Sequence, residues 1–310
     1  MGSKPKIGRV RIGTSGWRYP SWRGRFYPAG WPQRSELAYI ASCFETLEVN
    51  GTFYSMTRPE ACEAWRSAVP PSFVFAIKGS RYISHMLKLK KFDAPLGNFF
   101  AQGILRLGAQ LGPILWQLPA SVPFDLDRAR PFLEALPRDV AAAERRARRH
   151  DARTRGRCAL RAPDGRQHVV RHAIEPRHPS WFEEPALRLL QELDITLCMA
   201  DTAGKHPSSL ARTGGVAYVR LHGSTVLYAS QYTDAELATW SRRVRRLRDD
   251  GLDVYVYFDN DAKGHAPFDA LRLERAVAGR RGPSALAPTI SARRAGGAGL
   301  GQTRHRQYNL

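Results

Sequence analysis

Acids, bases and cations recur where short apolar runs end. Glu48 and Asn50 lie in Thr46-Leu47-Glu48-Val49-Asn50, on the same side by the two-residue period of a strand. Lys78 closes the run from Phe73, and Gln117 lies near the end of Ile114 to Pro119. Glu175 ends His168 to Glu175, with Arg177 two residues on. Asp201 ends Ile195 to Asp201, and Arg220 and His222 share a face at the end of Gly215 to His222. Asp259, Asn260 and Asp261 follow Asp253 to Phe258. A lone carboxylate buried in a strand is costly, so each must be paired, solvated or functional. Two carboxylates in one pocket can acquire different pKa values and divide acid and base roles, and Glu48 and Glu175 suit this. Each could instead close an ion pair, Glu175 with Arg177 or Lys78. Lys78, Arg177 and Arg220 offer charge for a phosphate or carboxylate, and His222 offers proton transfer. Asn50, Gln117, Asp259 and Asn260 add polar contacts, with Tyr19, Tyr54 and His85 reaching in from loops. The expected chemistry is acid/base work on a small anionic or phosphorylated substrate, hydrolysis or isomerisation, with Glu48, Glu175, His222 and Lys78 as catalytic candidates.

Glu175, Asp201, His222 and Asp259 would make an oxygen and nitrogen donor set for a divalent metal. No HxH or HExxH spacing supports one, and the Arg and Lys candidates can replace a metal electrostatically, so a metal is not favoured. No nucleotide cofactor motif is present: no GxGxxG follows the first strand and no GxxxxGK[ST] occurs. Trp17, Trp22, Phe26, Tyr27, Phe53 and Trp181 would form an aromatic wall or a small loop core. Cys43, Cys62, Cys158 and Cys198 form no CxxC and read as reduced. Together with the missing signal peptide, this points to the cytoplasm. No run of eighteen apolar residues suggests a membrane span. The net charge of +20 favours polyanions, and Arg145, Arg146, Arg148, Arg149 and Arg242 to Arg248 make two basic helices. Nucleic acid is therefore a second partner class, and a noncatalytic nucleic-acid or anion-binding protein or a metal-dependent nuclease are the alternative functions. Oligomeric state is not legible.

The elements that must position these residues follow from periodicity. Gly8 to Gly16 reads as the first strand and its exit loop, and further strands are expected near residues 46–50, 73–78, 114–119, 168–175, 195–201, 215–222 and 253–259. Helices are expected between them, including Glu36 to Phe44 capped by Ser35, Asn98 to Leu107, Arg138 to Asp151, and Asp234 to Asp249. Eight strands alternating with helices predict a TIM-like (β/α)8 barrel over residues 8–278, with an open doubly wound sheet as runner-up. In a barrel the strand ends share one mouth, which would gather the scattered residues. Residues 279–310, rich in Arg, Gly and Ala, are expected to be a disordered tail.

Several segments carry a family resemblance. They include Ile12-Gly13-Thr14-Ser15-Gly16-Trp17, Phe26-Tyr27-Pro28, Glu48-Val49-Asn50-Gly51-Thr52-Phe53-Tyr54 and Phe75-Ala76-Ile77-Lys78-Gly79-Ser80. Gln117-Leu118-Pro119, Glu175-Pro176-Arg177-His178-Pro179-Ser180-Trp181, Val219-Arg220-Leu221-His222-Gly223 and Tyr255 to Asp261 extend it. Over residues 9 to 275 the chain resembles the DUF72 family of YecE-like proteins. The resemblance implies a TIM barrel and assigns no reaction. Gly51 stands where such proteins usually carry Ser, and Pro176 where they carry a less restrictive residue.

Overall fold

The computed structural model describes residues 7–163, 165 and 167–279. The expected tail lies outside them, apart from Gly279. Among the described residues, nine parallel strands are β1 (Val10–Thr14), β2 (Thr46–Val49), β3 (Val74–Lys78), β4 (Leu111–Leu118), β5 (His172–Pro176), β6 (Thr196–Leu197), β7 (Met199–Asp201), β8 (Val216–Leu221) and β9 (Asp253–Phe258). They form two sheets, β2-β3-β4-β5-β6 and β1-β9-β8-β7. β6 and β7 are one stave interrupted at Cys198, whose N–H donates to Ile174 O at 2.8 Å. β1 and β2 meet through a parallel bridge between Ser15 and Glu48. Gly13 permits that approach, because a Cβ there would lie 2.2 Å from the Thr46 carbonyl oxygen. The result is a closed eight-stave barrel, as the alternation of elements predicts.

The barrel interior is filled unequally. Tyr218, Tyr255 and Tyr257 project from β8 and β9 against Ala76, Ala173 and Ala200 on β3, β5 and β7. Large residues on one side thus need small ones opposite to reach close packing. A second, larger apolar layer joins the strands to the outer helices, and includes Ile12, Leu47, Phe75 and Val256. Helix Asp234–Asp249 shows why the arginine-rich stretch folds. Thr233 and Glu236 form a capping box, and Leu237, Trp240, Val244 and Leu247 face inward at helical spacing.

Some boundaries differ from expectation. The helix expected from Asn98 to Leu107 runs Asp93–Ala101, because Gly103 adopts φ 119 just beyond it. The helix expected over Arg138 to Asp151 is Val140–Ala147, begun by the Asp139 cap. Ser35 precedes helix Glu36–Cys43 without a side-chain cap bond. The aromatic loop after β1 is core and no stacking wall: Trp22, Phe26 and Tyr27 are buried, and Tyr27 OH donates to Trp17 O at 2.6 Å.

Candidate active site at the barrel mouth

Arg220 stands at the centre of the mouth with no exposed surface. Its position on β8 follows from the strand period, which points Tyr218, Arg220 and His222 into the barrel. Its Nε and Nη2 donate to both oxygens of Glu48 at 3.1 and 2.8 Å. Nη1 donates to Glu175 Oε2 at 2.7 Å, and Nη2 to Asp259 Oδ2 at 2.9 Å. Three carboxylates from β2, β5 and the end of β9 therefore surround one guanidinium. Ser15 Oγ donates to Glu48 and accepts from Arg220 Nη2 at 3.0 Å and Asn50 Nδ2 at 2.8 Å. Tyr218 OH donates to Glu48 Oε2 at 2.6 Å. The sequence suggests Arg220 as a holder of an anionic ligand; the protein's own carboxylates occupy it instead.

His222 is also fully buried. Its Nδ1 lies 3.0 Å from Asp259 Oδ2. Its Nε2 lies 3.3 Å from Arg220 Nη1 and 3.2 Å from Glu175 Oε1. Neutral, Nε2 accepts from Arg220; charged, it faces Glu175. Glu175 Oε1 is buried and has no aligned hydrogen bond. Burial and the Arg220 charge push the His222 pKa down, but Glu175 and the Asp259 hydrogen bond outweigh them and the net shift is upward. Burial alone would raise Glu175 and Asp259, yet Arg220 and His222 hold Glu175 well below the usual range and Asp259 down at about 2.

Lys78 differs from these groups. It is 7% exposed and forms no salt bridge among the described residues. Its Nζ lies 4.4 Å from the centroid of the Phe53 ring. Burial, then the Arg220 charge, lower its pKa from 10.5 to about 8. Arg177 donates to Tyr228 OH at 2.7 Å, while its Nε is buried without a partner. His85 packs edge-on against Phe53 at 5.1 Å and bonds Ser84 through Nδ1 at 2.9 Å. Burial, Lys78 and Arg177 lower it to about 4, so it is neutral at physiological pH.

The remaining candidates divide. Tyr19 OH donates to Ser15 O at 2.6 Å, which ties it to the Glu48 corner. Gln117 is buried beside Glu175 in register. Asn260 is buried and donates to Ser230 O and Asp269 Oδ2, both at 2.9 Å, so it anchors a loop to the closing helix. Tyr54 is 66% exposed and lines a groove beside the mouth. Asp201 lies apart, with its carboxylate toward Ala203 N and Tyr232. The four-residue metal set thus does not converge, and no grouping of three or more His, Cys, Asp or Glu suited to a metal occurs among the described residues. A guanidinium sits between the carboxylates where a cation would bind, so the four donors as placed do not fit one divalent ion.

Four participants carry weaker sequence signals or none. Tyr218 was legible, two residues before Arg220 on the same face. Ser15 directly follows β1, and that position at a strand end could have marked it. Tyr228, the partner of Arg177, comes from a loop with no periodic signal. Asp261 follows β9 in sequence, but nothing there marks its surroundings. It is 7% exposed with neither carboxylate oxygen in an aligned hydrogen bond, and burial and nearby Asp259 hold its pKa well above the usual range. The basic helices lie outside the mouth, where Arg146 and Arg149 both pair with Asp93.

Comparison with known proteins agrees with the barrel fold. A 129-residue segment is 30% identical to the UPF0759 protein YecE of Escherichia coli (strain K12), covering 41% of this chain and 44% of that protein. The matched segment thus spans less than half of that relative. The UPF0759 protein YunF of Bacillus subtilis (strain 168) is 22% identical over 286 residues, covering 83% of this chain and 90% of that one. Among solved structures, a DUF72 family protein from Thermotoga maritima superposes with a TM-score of 0.69 at 24% identity, covering 87% of this chain and 99% of that chain. One from Enterococcus faecalis gives 0.66 at 17%, covering 91% and 99%. No helix among the described residues is long and apolar enough to cross a membrane. The family described as "Protein of unknown function DUF72" matches residues 11–292, and the chain belongs to it.

Proposed function

We propose that the mouth carries out acid/base chemistry on a small anionic substrate, a phosphate ester or a carboxylate, by hydrolysis or isomerisation. The observation that supports this most is Lys78, a buried ammonium without a carboxylate partner beside a cluster that has carboxylates in excess. An amine near pKa 8 is mostly protonated at neutral pH, so it attracts an anion, and it can still give up its proton in a reaction. Arg177 supplies the second cation. Glu175 Oε1 and His222 Nε2, 3.2 Å apart, are placed to exchange a proton, while Asp259 orients the imidazole. Glu48 and Ser15 fix Arg220, which keeps Glu175 anionic.

The test is a panel of phosphate esters and carboxylates, assayed for turnover and for binding by calorimetry. Lys78→Met should weaken anion binding at least ten-fold, and Glu175→Gln should retain binding and lose turnover. Unchanged affinity in the first variant would remove the anion site, and wild-type turnover in the second would remove Glu175 from the chemistry. The net charge of +20 favours a second reading, a polyanion-binding protein without catalysis. That reading predicts affinity for nucleic acid that falls steeply with salt and is indifferent to Lys78→Met.

A further inference from the structure

A groove opens beside the mouth, over the ends of β2 and β3. Its volume is about 240 Å³. Phe53, Tyr54, Met56, Tyr82, Met86 and Phe99 supply its apolar walls. Among the large apolar side chains that are exposed, Tyr54 at 66%, Met56 at 39% and Met86 at 67% all converge here. Scattered exposed apolar residues need no explanation, but a cluster in one concavity marks a binding surface. Arg81 and Arg153 add charge to the walls, and neither pairs with a carboxylate among the described residues. The Arg153 guanidinium lies over the Tyr82 ring at 5.2 Å.

The groove and the mouth share a wall. Phe53 lines the groove and also carries the Lys78 ammonium against its ring. Thr52, another lining residue, donates through Oγ1 to Lys78 O at 2.7 Å. Ser80 and Arg81 continue the chain from Lys78 into the groove. A ligand whose anion rests on Lys78 therefore has its remaining atoms beside the groove. The volume is too small for a whole drug-sized ligand, whose pockets run to about 300–1,000 Å³, and suits a single ring system. Aromatic, thioether and guanidinium groups together favour a flat π-system over an aliphatic chain or a bare sugar.

We infer that the groove is a second subsite of the mouth, holding the base of a nucleoside monophosphate whose phosphate is bound by Lys78 and Arg177. The inference rests on the anion reading above and names the substrate class. Calorimetric titration with adenosine 5′-monophosphate, ribose 5-phosphate and inorganic phosphate tests it. In the wild type the nucleotide should bind about ten-fold or more tighter than ribose 5-phosphate, the scale of one stacked base. The double variant Tyr54→Ala, Met86→Ala changes two exposed side chains. It should bring the nucleotide to the ribose 5-phosphate level and leave ribose 5-phosphate unchanged. Lys78→Met should weaken all three probes. Equal affinities in the wild type, or a nucleotide advantage that survives in the double variant, would overturn the base subsite while leaving the anion site standing. A base preference indifferent to Lys78→Met would overturn the shared ligand. Failure of all three probes to bind at millimolar concentration would remove the phosphate reading together with the subsite.

Discussion

The two sides of the mouth treat a buried cation in opposite ways. On the β8 side, Arg220 is surrounded by Glu48, Glu175 and Asp259 and holds them in place. On the β3 side, Lys78 is almost as buried, yet it makes no salt bridge among the described residues and rests its ammonium against the Phe53 ring. Guanidinium suits the first role because its planar fork fixes several acceptors at once, and its charge does not titrate in the accessible range. Ammonium suits the second because burial shifts its pKa readily. One side is a closed ion-pair cluster, and the other is an ammonium with no carboxylate in salt-bridge contact among the described residues, which Asp259, Glu48 and Glu175 reach only at longer range.

Removing Arg220 should break this contrast most severely. Arg220→Met leaves three buried carboxylates without their cation and should cost about 3–5 kcal/mol in urea unfolding. A loss below about 1 kcal/mol would show that water or rearrangement satisfies them. Lys78→Met should act the other way. The lowered pKa works against folding, and a shift from 10.5 to about 8 corresponds to about 3 kcal/mol. The penalty is full below pH 8 and is relieved as pH rises toward 10.5, because there the unfolded chain binds more protons. The variant should be more stable than wild type at pH 7, with the gap closing above pH 8. A destabilised variant would show that Lys78 has a partner in solution.

Asp259 sharpens the Arg220 side. Its depressed pKa contributes stability above about 3.8 that is lost as pH falls toward 2, about 2 kcal/mol by the same conversion. Asp259→Asn should remove that acid-dependent component, and an unaltered acid limb in unfolding curves would contradict it. His222 should give the smallest effect. Its raised pKa adds stability that is complete below about 6.5 and fades as pH rises through its folded value. His222→Gln should flatten that window. On the Lys78 side, anion affinity should fall as pH passes 8, by up to about ten-fold per unit, and a flat profile from about pH 7 to 9 would exclude Lys78 as the binding group.

The staves and most of their inward residues were legible because a strand repeats every two residues and its apolar run is short. Glu48, Lys78, Glu175 and His222 stand out at strand ends on that basis alone. The balance of charge was not legible. Arg220 is 172 residues from Glu48 and 45 from Glu175, and only barrel closure reveals that these carboxylates bond to it rather than to Lys78. Loop partners such as Tyr228 escape for a related reason. Tyr228 has φ 62 and reaches Arg177 through backbone geometry that periodicity cannot signal. Asn260 misleads in the opposite direction: its position beyond β9 matches the others, but its amide turns toward Asp269.

The broken stave at Cys198 and the bridge from Ser15 to Glu48 mark the two seams between the sheets. Glu48 and Glu175 belong to one sheet, and Arg220 belongs to the other. The central ion cluster is therefore a clasp across both seams. The sheet that carries Arg220 also carries Asp259, but Glu48 and Glu175 lie across the seams, so a half-formed barrel leaves those two carboxylates without their guanidinium until the sheets close. Assembly of this ion cluster and closure of the barrel are then the same event.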